Sequence, residues 1–77
     1  MGMLDVQAID AGIESPLRRE RIRQGLSLRE LAFFVRCSHV TILRIEARTL
    51  DPSASLKARI ARALRVPVAK LWPPEVP

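Results

Sequence analysis

Seventy-seven residues and 8.7 kDa fit one small domain and leave no room for a second independent core, which excludes a multidomain enzyme. With 48% hydrophobic and 27% charged residues and 3 glycines the chain can collapse, but its one cysteine and one histidine exclude an internal disulfide and a four-ligand zinc site. The formal charge of +5 is uneven: residues 1–15 hold Asp5, Asp10 and Glu14 without a base, and the rest of the chain sets all 13 bases against five acids. That excess is the footprint of a polyanion binder, or of a merely solvated arginine-rich surface.

Residues 1–14 read as an acidic and apolar arm, with Met3, Leu4, Val6, Ile9 and Ile13 among its acids. Ser15-Pro16 then predicts a helix: serine caps it, and proline at the first helical position loses nothing by lacking an N–H. Gly25 is the expected stop, so this first helix covers about Pro16 to Gln24. Ser27 caps a second piece, and Glu30 three residues on completes a Ser-x-x-Glu capping box. Leu28, Leu31, Ala32 and Val35 form its one-sided stripe, giving a second helix over Leu28 to Val35.

After Arg36-Cys37-Ser38, the Ser38 hydroxyl can cap a third helix from His39 to about Ala47. Ile42 and Ile45 are its buried positions, and His39, Val40, Leu43, Arg44 and Ala47 its opposite face. Pro52-Ser53 opens a fourth helix with Leu56, Ile60, Ala61 and Leu64 inward and Arg59, Arg62 and Arg65 solvated. Pro67 ends it, a last turn runs from Val68 to Trp72, and Pro73-Pro74 opens a proline-rich tail over 73–77. Nothing alternates with period two, so an all-α, compact five-helix bundle over 15–72 is expected.

Two short capped helices joined by a three-residue turn have the outline of a helix-turn-helix. Leu17 to Ser27, with its Gly25-Leu26-Ser27 entry, Arg29-Glu30-Leu31-Ala32, Ser38-x-x-Thr41-Ile42-x-x-Ile45-Glu46, and Pro52-Ser53 through Val66 resemble, in order and spacing, the lambdoid phage repressor and Cro type, also called the xenobiotic-response-element family. The resemblance covers Ser15 to Trp72. It implies a sequence-specific transcriptional regulator of double-stranded DNA, a repressor of phage or prokaryotic origin, reading the major groove with its third helix.

Carried over residue by residue, the resemblance places Ser27, Leu28, Arg29, Arg36, Ser38, His39, Val40, Thr41, Leu43, Arg44 and Arg48 at the DNA. His39 and Arg44 can donate to guanine N7 and O6, and Val40 can pack on a thymine methyl. It also implies a buried interhelical ion pair of Arg21 with Glu46, and a small Ala32 where the second and third helices cross. Glycine positions of the family are here Arg36, Arg48 and Arg65; any that keeps a positive φ carries about 1 kcal/mol of strain. Arg36 and Arg48 can offset it at phosphates.

A single recognition helix spans few base pairs, so a homodimer on a palindromic operator is expected; the resemblance places its contact after the fourth helix, at Val68, Leu71 and Trp72, with closure of the monomer core against the first helix as the alternative for Trp72. The apolar content of the same face, Val40, Leu43, Ala47 and Phe33 with Leu28 nearby, supports a second reading as a module for protein partners with weak, non-specific DNA affinity. Catalysis is not expected: Cys37 and His39 lack an orienting acid and an oxyanion site, and Cys37 suits a small buried turn position. No cofactor, metal or small-molecule ligand is expected. The absence of a bilayer-length apolar run and of a basic signal region gives a cytoplasmic, nucleoid-associated expectation.

Overall fold

Four serines decide where the principal helices begin. In the computed structural model, which describes residues 15–74, the hydroxyl oxygens of Ser15, Ser27, Ser38 and Ser53 accept from the backbone N–H groups of Arg18, Glu30, Thr41 and Leu56 at 3.0–3.2 Å. Each such cap contributes about 1 kcal/mol by satisfying a donor the helix cannot. The helices that follow are α1 (Pro16–Arg23), α2 (Leu28–Val35), α3 (His39–Glu46) and α4 (Ala54–Leu64); a single turn, α5 (Val68–Leu71), completes the set. Among the described residues there is no strand, and the fold is all-α. The acidic arm at 1–14 and residues 75–77 of the tail lie outside the described residues.

The helix ends share one device. After α1, α2, α3 and α4 the chain reverses through a residue of positive φ: Gly25 (74°), Arg36 (62°), Arg48 (63°) and Arg65 (60°). The next residue's N–H then returns to a carbonyl of the last turn, as in Leu26 to Arg21, Cys37 to Ala32, Thr49 to Arg44 and Val66 to Ala61, at 2.9–3.1 Å. This closure satisfies orphan carbonyls and is easiest for glycine. Three of the four positions hold arginine, and each retains the strained conformation the sequence warned of. Gln24 and Ala47, expected as last helical residues, serve instead as the residues that leave α1 and α3.

Leu17, Leu31, Ala32, Val35, Ile42, Ile45, Ile60, Ala61, Leu64 and Leu71 make the core. α2 packs on α3 and α4, while α5 is held between α1 and α4. Each fully buried leucine or isoleucine contributes about 1.5–3 kcal/mol. One expectation fails here. Leu71, assigned to a dimer contact, is 2% exposed in the single chain, because a one-turn helix can plug the core only with its last apolar side chain. Arg59 is exposed, as its place on the solvated stripe implies, and its Nη1 donates to the Val35 carbonyl at 3.0 Å, which ties α4 to the end of α2.

Candidate nucleic-acid interface

The helix-turn-helix proper is α2, the turn Arg36-Cys37-Ser38, and α3. Its entry is rigid because Ser27 and Glu30 satisfy each other's backbone, with the Ser27 N–H donating to Glu30 Oε1 at 2.8 Å. Cys37 sits in the turn, half-buried against the core, and burial pushes its thiol pKa up, so it behaves there as a small apolar residue.

α3 is anchored from beneath. Arg21 donates from Nε to Glu46 Oε2 at 2.6 Å and from Nη2 to Oε1 at 3.1 Å, and its Nη1 reaches the Leu26 carbonyl at 2.7 Å. Both residues are buried, and every buried side-chain polar atom among the described residues has a partner. The bidentate fork therefore joins α1, the loop before α2 and the last turn of α3 in one arrangement.

With Ile42, Ile45 and Glu46 turned inward, the outer face of α3 presents His39, Val40, Leu43 and Arg44 together. His39 is half-buried, Arg44 is exposed, and Val40 and Leu43 are 43% and 50% exposed. Ser38 and Thr41 lie at the start of the same helix with their hydroxyls 2.9 Å apart, one able to donate to the other. Ser27 and Arg29 are exposed at the start of α2, whereas Leu28 is half-buried against the core.

Arg36 and Arg48 are exposed, and each lines a groove without His39, Val40, Leu43 or Arg44. Arg36 lines a groove between α2 and α4 with Phe34, Arg59, Arg62 and Arg65. Arg48 lines a second groove, between the start of α1 and the α3–α4 connection, with Leu50, Lys57 and Trp72. Trp72 is half-buried against the core with the Lys57 ammonium 5.7 Å from its ring centre, and Val68 is exposed.

Three further residues carry weight that the sequence reading overlooked. Phe34 is 59% exposed and meets the 79% exposed Phe33 edge to face, with ring centres 5.9 Å apart. Of the pair, the sequence pattern points only to Phe33, since the capping pattern of α2 says nothing of which flank a neighbouring helix covers. Glu20 is buried and accepts from Arg23, and from Gln24 Nε2 at 2.8 Å, and these bonds lower its carboxyl pKa to about 2. Gln24 also donates to the Leu64 carbonyl at 2.7 Å. The spacing of Glu20, Arg23 and Gln24 along one helix was the available signal.

Among the described residues no group of histidine, cysteine and carboxylate side chains could hold a metal ion, and no helix is long and apolar enough to cross a membrane. Comparison with curated proteins and with solved structures finds no match. The model of one protein family, the helix-turn-helix domain, matches residues 16–71, from the first residue of α1 to the last of α5. By that match and by the geometry of α2, its turn and α3, the chain belongs to the helix-turn-helix domain family.

Proposed function

We propose that this domain is a transcriptional regulator, a repressor of prokaryotic or phage type, that lays α3 in the major groove of a specific duplex site. The observation that carries the reading is the outer face of α3: a histidine and an arginine that can donate to guanine edges flank two apolar side chains able to meet thymine methyls, on a helix locked in place by the Arg21–Glu46 fork. Ser38 and Thr41, together with Ser27, Leu28 and Arg29 at the start of α2, set the docking angle against the backbone, and Arg36 and Arg48 add phosphate contacts. The domain acts as a homodimer on a palindromic operator, with Val68 and the outer edge of Trp72 at the contact.

Selection from random duplexes tests the reading. An enriched palindrome, with half-sites about one helical turn apart, supports it. No enrichment at moderate salt favours the second reading, a module for protein partners, to which the exposed Phe33 and Phe34 lend support. Sedimentation of the intact chain beside Trp72→Ala tests the dimer: a monomer in both, with and without the selected duplex, overturns it.

A further inference from the structure

The groove between α2 and α4 is lined by charge of one sign. Arg36, Arg59, Arg62 and Arg65 line it around a floor of Phe34, Val35 and Ala63; no carboxylate and no residue of α3 takes part. None of the four guanidiniums has a carboxylate of the described residues within ion-pair distance. Two of the four, Arg36 and Arg65, occupy left-handed positions at φ 62° and 60°, where glycine is the unstrained choice. Arg59 is held to the wall by its bond to the Val35 carbonyl. The chain thus keeps two costly arginines on one groove, and like charges gathered there repel one another until a polyanion arrives.

We propose that the occupant is the chain's own residues 1–14, seated along this groove with carboxylates on the arginines and apolar side chains on Phe34 and Ala63. The charges are complementary: the segment holds Asp5, Asp10 and Glu14 and no base. So is the rest of its composition, since Met3, Leu4, Val6, Ile9 and Ile13 are more than a solvated tail needs and match the apolar floor. The reach suffices. Ser15 lines the same groove as Lys57, and from Lys57 to Arg65 along α4 is about 12 Å. Fourteen extended residues span about 46 Å, and the longest dimension of the described body is 41 Å. Duplex DNA is the weaker candidate because the outer face of α3 contributes nothing to the groove. Seating the acids here keeps them off the outer face of α3; among the residues proposed for phosphates only Arg36 is shared, so the arm and a duplex backbone compete for it, and the seating holds whether or not the α3 face binds DNA.

The test uses the intact chain in NMR, reading backbone amides and arginine Nε–H signals of the natural protein beside Asp5→Asn/Asp10→Asn/Glu14→Gln. Signals of Phe34, Arg36, Arg59, Arg62 and Arg65 are expected to move, those of His39, Val40 and Arg44 to stay. About 0.5 M NaCl, which shortens screening to a few ångströms, is expected to reproduce part of the change. Arg62→Glu/Arg65→Glu alters only exposed side chains and is expected to shift the signals of residues 3–14 in return. A nitroxide at Ile9→Cys in a Cys37→Ser chain is expected to broaden the groove residues; the charge variants stand alone if that chain does not fold. Three results overturn the proposal: unmoved groove signals on neutralising the acids, changes confined to the neighbourhood of Ser15, Lys57 and Trp72, or groove signals that respond to duplex DNA and not to the acids.

Discussion

Glu46 is the last residue of α3, where the partial negative charge of the helix end disfavours a carboxylate, and it is buried as well. It is tolerated because Arg21 meets it with two hydrogen bonds, so each member depends on the other. Arg21→Met or Glu46→Leu alone is expected to cost about 3–5 kcal/mol through the orphaned charge, and the double replacement less than the sum, as read from denaturant melts. Additive losses would show that the two do not stabilise each other. The outer face behaves differently, since its side chains hold nothing together. His39→Ala and Arg44→Ala are each expected to weaken binding to the selected duplex by about 1–3 kcal/mol at unchanged melting temperature; equal losses on random duplex would demote them to backbone contacts.

Among the elements, beginnings and endings obey different economies. Every principal helix begins on a serine cap, whereas three of four end on an arginine in a conformation that suits glycine. Arg48→Gly is expected to relieve about 1–2 kcal/mol of backbone strain against a smaller entropic penalty in the unfolded chain, a net gain of about 0.5–1 kcal/mol and a melting temperature several degrees higher. A variant that melts no higher would mean that the Arg48 side chain stabilises the fold by at least as much. These local rules made the helices legible: a Ser cap, a capping box at Ser27 and Glu30, and stripes such as Leu28, Leu31, Ala32 and Val35 depend on neighbours a few residues apart. The sites of Arg59, Glu20 and Leu71 depended instead on which helix lies across, and an arginine pattern on α4 cannot reveal that Val35's carbonyl waits for one of them. The α3 face was readable because the inward set, Ile42, Ile45 and Glu46, leaves only one side for His39, Val40, Leu43 and Arg44. Phe34 was not, since its exposure follows from α4 covering the adjacent flank.

At the scale of the molecule, Glu20 and Gln24 link the ends of the chain. Gln24 holds the last carbonyl of α4, and the Lys70 ammonium lies 3.8 Å from Glu20 Oε1, drawing α5 toward α1. Hydrogen bonds from Arg23 and Gln24 lower the Glu20 carboxyl from its ordinary 4.5 to about 2. A carboxyl whose pKa is depressed by folding contributes stability that is fully present above its unfolded value and lost as pH falls through the folded one. Stability is therefore expected to decline between about pH 4.5 and 2, and Glu20→Gln to flatten that part of a chemical-denaturation series; an unchanged slope would move the acid sensitivity to other carboxyls.

Trp72 is the only tryptophan in a chain without tyrosine, so near-ultraviolet absorption and emission arise almost wholly from one indole. It follows a four-residue helix that no side chain caps and whose one buried residue is Leu71. Elements with so few buried contacts open at lower free energy than the body they rest on. Emission is therefore expected to redden at a lower temperature than the loss of far-ultraviolet ellipticity, and coincident curves would mean that α5 releases only with the bundle. The chain thus carries a built-in optical gauge at its last turn, and quenching by an added anion such as iodide, drawn toward the Lys57 ammonium above the ring, would read the opening of that turn alone.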